Sequence, residues 1–358
     1  MRSEEMLAAI RGMALERDGK PFTLMEVCGT HTMAIAKAGL RQLLPPSVRL
    51  ISGPGCPVCV TPSGALDAVL DFAMRRDVIL TTYGDLLRVP GSKRGDSLLA
   101  RRALGADVRM VYSPMDALEM AKGTEKQVVF LAVGFETTAP GTAACILAAQ
   151  EEGVRNFSVL CLMKYTEPAI RAIVQDPACG IDGLICPGHV AAIVGSEAFG
   201  FLPEEYGLPA AVGGFEGEDV IRAVHALCRM REAGEASVVN EYARVVRPQG
   251  NPAAKAVLEQ VFAPADDIWR GLGRIPMSGM RIRAQYADYD AARRFAIAGL
   301  DRDAEKTNGC RCGDILRGVL APQGCPLFGR VCTPADPVGP CMVSGEGACA
   351  AAYKYQGV

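Results

Sequence analysis

The chain has 358 residues, 49% of them apolar and 22% charged, with a formal net charge of −2. That balance leaves room for two or three domains with sizeable cores and excludes an intrinsically disordered chain. With no long Lys/Arg block there is no case for nucleic acid or an anionic membrane surface as a partner. No apolar run approaches the ~20 residues of a membrane helix. Residues 1–20 carry acids and lack a hydrophobic signal core, so the cytoplasm is the expected compartment.

From Phe22 to about Val212, short β-like runs alternate with segments of helical period. The runs are 23–27, 48–51, 78–81, 108–112, 128–133, 157–162, 183–185 and 210–212, and clear helical patterns fill 63–76, 115–122 and 138–152. Such alternation predicts βαβ units and parallel sheets. The expected fold is α/β with two similar lobes, each a mostly parallel sheet of about four strands flanked by helices. A C-terminal irregular and helical module follows. Lobe one is placed at 1–112, lobe two at 113–215, a mainly helical segment packing on both at 216–300, and the last module at 301–358. In 217–262 the pattern is mostly helical, 275–283 reads as a further strand, and this stretch shows no evident chemistry.

The loops after the strands carry unusual residues. Cys28-Gly29-Thr30-His31-Thr32 follows the first, and Gly53-Pro54-Gly55-Cys56-Pro57-Val58-Cys59 the second. Open α/β sheets place working groups at the carboxyl ends of strands, and a helix start favours thiolate, so these thiols are expected to converge with lowered pKa. Cys56-x-x-Cys59 has the spacing of a redox pair able to close a disulfide; two buried packing cysteines are the plainer reading. Cys28, His31, Cys56 and Cys59 also match zinc ligand types, although structural zinc usually sits on short knuckles. In the second half, Glu136 within GFETTAP fits a general acid/base or an ion-pair partner. His189 in PGHV fits a polar site or a helix cap. His225 and Cys145, Cys161, Cys179, Cys186 and Cys228 lie in apolar segments and read as packing residues.

Fourteen cysteines without a secretory leader argue against a disulfide scaffold, and six of them crowd between Cys310 and Cys349. Gly/Pro-rich loops around Cys310, Cys312, Cys325, Cys332, Cys341 and Cys349 suit an iron–sulfur cluster, because thiolates must converge from several loops. A zinc module held by four cysteines fits the same residues, and spacing alone does not choose four from six.

Taken together, these blocks resemble the HypD-type [NiFe]-hydrogenase maturation factors over nearly the whole chain. The resemblance rests on MEVCGTHT (25–32), GPGCPVCVTP (53–62), GFETTAP (134–140), PGHV (187–190) and WRGLGRIPMSG (269–279). It continues through CRCGD (310–314), CPLFGRVCTP (325–334) and GPCMVSGEGACAA (339–351). One departure is Gly217, where the family usually has Pro after Glu. The resemblance implies a [4Fe-4S] cluster on C-x12-C-x6-C-x16-C, matched by Cys312, Cys325, Cys332 and Cys349, with Cys310 and Cys341 left to pair as a disulfide. It further implies a metallocentre-assembly protein rather than a conventional turnover enzyme. With a small HypC-type chaperone, such a protein is the scaffold for the Fe(CN)2CO unit. A HypE-type partner, itself served by a HypF-type protein, supplies cyanide. Transient iron carrying CN and CO would sit on Cys28 near His31, with Cys56 and Cys59 as the redox thiols. A general cytoplasmic thiol–disulfide oxidoreductase with a structural metal module is the competing function.

Overall fold

Nine of the eleven strands are where the sequence places them, the eight apolar runs and the stretch 275–283, and the inner runs are buried on both faces with nowhere else to go. The structure, a computed structural model, describes residues 2–302 and 309–357. The strands are β1 (Phe22–Glu26), β2 (Val48–Ser52), β3 (Val78–Thr82), β4 (Val108–Met110), β5 (Gln127–Ala132), β6 (Phe157–Cys161), β7 (Gly183–Pro187), β8 (Ala210–Gly213), β9 (Val238–Asn240), β10 (Phe262–Trp269) and β11 (Gly273–Ile282). They form a five-stranded sheet in the order β2-β1-β7-β8-β9, a four-stranded sheet in the order β4-β3-β5-β6, and a hairpin of β10 and β11. Every pairing in the two larger sheets is parallel.

Strand partition corrects the expected division at 112/113. The chain lays down β1 and β2, leaves to build the whole four-stranded sheet from β3 to β6, then returns to add β7 beside β1. The first lobe is therefore discontinuous and the second is inserted in it. The stretch 216–300 is also less helical than expected, since β9 extends the first sheet and β10–β11 form an antiparallel pair. The predicted module boundary at 301 adjoins residues 303–308, which lie outside the described residues.

Period-two alternation assigns each strand face to its own core. Phe22 and Leu24 of β1 pack with Ile35, Ile185 and the helix Gly217–Ala233. Met25 points the other way, toward Ile51, Leu184 and Phe199. Likewise Val128 and Phe130 of β5 face Ala143, Ile146 and Phe262. Val129 and Leu131 face a core shared with Cys59, Trp269, Ile315, Phe328 and Met342. The cysteine-rich tail thus has no core of its own. It folds as part of the wall between the sheets.

Both sheets run outward in two directions from a central pair of strands. Neighbouring loops diverge at such a switch point and leave a crevice at the carboxyl ends. In the five-stranded sheet that point lies between β1 and β7, where the Cys28 and His189 loops emerge. In the four-stranded sheet it lies between β3 and β5, where the Tyr83-Gly84-Asp85 and Glu136 loops emerge. Among the described residues, no helix is long and apolar enough to cross a membrane.

Candidate metal and thiol centre

Cys28 caps the helix Gly29–Lys37 in an extended conformation, so the first free N–H groups of that helix face its side chain. The backbone N–H groups of His31 and Thr30 lie on the side of its sulfur and favour the thiolate. Its own N–H donates to Glu26 Oε2 at 3.0 Å, while Thr32 Oγ1 donates to Glu26 Oε1 at 2.5 Å. The CPVC loop lies directly against this turn. Gly29 N donates to Gly55 O at 3.1 Å, and a Cβ on Gly55 would stand 2.2 Å from the Cys28 nitrogen. Only glycine lets the two loops close to this distance.

Burial overturns the expected thiolate bias. Cys28, 7% exposed, is pushed up to about 12 by desolvation, against the pull of the helix N–H groups. Cys59, fully enclosed, is also raised, by burial and then by its contacts with Cys341 and Cys56. Glu26 is raised to about 7, again by burial, although Ser52, Thr32 and the Cys28 N–H all favour its charged form.

His31 Nε2 lies 2.9 Å from Gly214 O and 3.2 Å from Gly213 O. Carbonyls only accept, so Nε2 carries the proton and Nδ1 holds the lone pair. Nδ1 is buried with no partner among the described residues. Burial lowers His31 to about 4, which keeps the ring neutral. Its ring is 4.8 Å from that of Phe215, and exposed His189 stacks on the same ring at 3.8 Å. Phe215 belongs to the loop that ends at Gly217, the first residue of the helix Gly217–Ala233. Glu216 forms a capping box there with Asp219, so the missing proline leaves the helix start intact.

The sulfurs continue inward as a series. Cys56 caps the short helix Pro57–Val60, accepts from Cys59 N at 3.3 Å and donates to Ser344 Oγ at 3.3 Å. Cys59 contacts Cys341, which accepts from Cys312 at 3.2 Å; Cys312 in turn contacts Cys310. Cys341 is held below an ordinary thiol by the two thiols that donate to it. Cys56 and Cys59 are free thiols in this structure, not closed to a disulfide.

All six C-terminal cysteines line one cavity with Ile315, Leu327, Phe328 and Met342. Among the described residues no three side chains converge on one point as ligands of a single ion do. A four-iron cube makes a different demand, with thiolates at separate corners of an apolar hollow. The donor types suit it: Cys312, Cys325, Cys332 and Cys349 line the same hollow, glycine at 339 leaves room beside Cys312 Sγ, where a Cβ would stand 3.1 Å away, and Val338 N donates to Cys332 Sγ at 3.3 Å.

A family model described as HypD, "Hydrogenase formation hypA family", matches residues 2–356. The chain belongs to the HypD family. It is similar to the hydrogenase maturation factor HypD of Cupriavidus necator, with 46% identity over 99% of this chain and 94% of that protein. The Rhizobium leguminosarum HypD is 48% identical over 96% of this chain and 90% of its own length. The Escherichia coli HypD is 44% identical, with 94% and 90% covered.

Within this HypD-family chain, Glu136 stands on the other sheet. Its Oε1 accepts from Thr166 N at 2.8 Å and Thr166 Oγ1 at 3.1 Å, and Oε2 is orphaned. Burial raises it to about 7, and it lines a separate cavity of about 390 Å3 with Phe199, Leu258 and Met277. Three residues escaped sequence reasoning. Glu26 was legible as an acid inside an apolar strand. Glu346, which accepts from Thr30 Oγ1 at 2.7 Å, and Arg270, whose Nε donates to Thr61 O at 2.8 Å, carried no signal outside the motifs.

Proposed function

We propose that this protein is the scaffold on which the Fe(CN)2CO unit of [NiFe]-hydrogenase is assembled, with a HypC-type chaperone and a HypE-type cyanide donor as partners. The observation that carries the reading is the joining of the Cys28 turn to the CPVC loop through Gly55, in a buried crevice at a switch point. Iron is the cargo. Cys28 Sγ would hold it, because low-spin iron with CN and CO calls for soft thiolate donors away from water. The Cys28 thiol must lose its proton on binding; the N–H groups of Thr30 and His31 then stabilise the sulfur charge.

Cys56 and Cys59 can release two electrons and two protons on closing to a disulfide. Cys312, Cys325, Cys332 and Cys349 would hold a [4Fe-4S] cluster, which supplies one-electron transfer when bound. Burial argues against the general oxidoreductase, because Cys56 at 4% exposure is closed to disulfides of other proteins.

Infrared spectra of the complex co-purified anaerobically with its chaperone test the reading. Wild type is expected to show cyanide and carbonyl bands, and Cys28→Ala to lose them. Retention of those bands by Cys28→Ala removes Cys28 as the iron ligand.

A further inference from the structure

Arg270 is 4% exposed, and both terminal nitrogens of its guanidinium, Nη1 and Nη2, are buried without a hydrogen-bond partner among the described residues. A guanidinium is always charged, and a buried charge is strongly unfavourable unless an anion faces it. The rest of the residue is fully committed. Its backbone N donates to Val60 O at 2.8 Å, and Nε donates to Thr61 O at 2.8 Å. Both carbonyls end the short helix that starts at Cys56, so the arginine is clamped just past the CPVC loop.

The turn that carries it touches the cysteine cradle. Gly271, at φ +79°, lies so close to Gly313 that a Cβ would stand 2.4 Å from the Gly313 Cα. Gly313 directly follows Cys312, so this turn brings Arg270 to the Cys312 side of the cysteine cradle. The other acidic anchors are taken: Asp267 holds Lys164 at 2.7 Å, and Asp314 holds Arg317 at 2.7 Å.

We propose that Arg270 is the charge-compensating donor of the C-terminal cluster site, its two free nitrogens directed at cluster sulfur on the Cys312 side. The inference rests on the cluster reading above. A [4Fe-4S] cube on four thiolates is anionic when oxidised and more so after gaining one electron, so a fixed buried cation favours the reduced form. Through Val60 and Thr61 the same residue ties that charge to the turn holding Cys56 and Cys59. Arg270 is not a ligand of the iron; it acts on the charge of the cluster.

The test is an anaerobic redox titration of the full-length, cluster-loaded protein, with dithionite as electron donor and EPR of the reduced cluster as readout. Wild type, Arg270→Lys and Arg270→Met are compared after iron and sulfide analysis. Arg270→Met is expected to lower the ratio of reduced to oxidised cluster at fixed potential about tenfold, equivalent to ~59 mV for a one-electron couple. Arg270→Lys, which keeps the charge and loses the fork, should fall between. An Arg270→Met midpoint equal to wild type overturns the proposal. If Arg270→Met loads no iron, Arg270→Lys and Arg270→Gln decide. Loading of Lys but not Gln supports the charge, and loading of neither, or of both with wild-type midpoints, overturns it. Wild type without iron and sulfide would instead refute the cluster reading itself.

Discussion

Glu26 and Glu136 are buried glutamates at the carboxyl side of inner strands in two parallel sheets, and burial raises both to about 7. Their surroundings differ. Glu26 uses both oxygens to organise the Cys28 turn. Glu136 uses one oxygen on Thr166 and leaves the other orphaned, under a sheet edge closed by the hairpin. The hairpin binds that edge through Tyr165 N to Ser278 O at 2.8 Å and Met280 N to Met163 O at 2.9 Å. Equal strand order and equal burial thus yield unequal chemistry. What covers the carboxyl edge decides which sheet leaves its loops open.

The largest expected effect comes from loosening that cover. Lys164 Nζ and Asp267 Oδ2 pair at 2.7 Å, with side chains only 3% and 6% exposed. Asp267→Ala leaves a buried ammonium with Ile268 O as its remaining acceptor. It should cost about 3–5 kcal/mol in urea unfolding. A loss below about 1 kcal/mol would mean that the hairpin is held by its apolar face alone.

Next in size is the pH dependence that separates the two glutamates. Below about pH 4.5 Glu136 is protonated whether the chain is folded or not, and its burial carries no ionisation penalty. Between about 4.5 and 7 the unfolded chain releases the proton while the folded chain keeps it, so stability falls as pH rises and levels off above 7. Glu136→Gln keeps the oxygen that serves Thr166 and cannot ionise. Relative to wild type it should gain roughly 3 kcal/mol between pH 4.5 and 8. A wild-type-minus-variant difference that stays flat across that range would show Glu136 to be ionised in the fold.

The smallest effect probes the open edge. Gly217 occupies the first helical position after Glu216, which has φ −82° and ψ 154°, a conformation that tolerates a following proline. Gly217→Pro is expected to raise stability by about 0.5 kcal/mol in thermal unfolding. Destabilisation would mean that Ala38, whose Cβ lies 3.2 Å from the position a Cβ on Gly217 would take, cannot yield.

Nine strands were legible in the sequence, together with the loops that carry Cys28, His31, Cys56, Cys59, Glu136 and His189. Apolar runs, period and punctuation are local, and a doubly buried strand has few alternatives. Tertiary structure alone decided that β7 returns to β1 across an inserted sheet, since strand pairing joins distant segments through backbone groups that are alike in every residue. It also reversed the expected acidity of Cys28 and Cys59, because desolvation depends on everything packed around a thiol and outweighed the nearby helix start. The contact of Cys59 with Cys341 and the approach of Arg270 to Cys312 belong to the same class. Cys59 and Cys341 stand near opposite ends of the chain, Arg270 and Cys312 sit on separate elements, and only the closed fold brings each pair within reach.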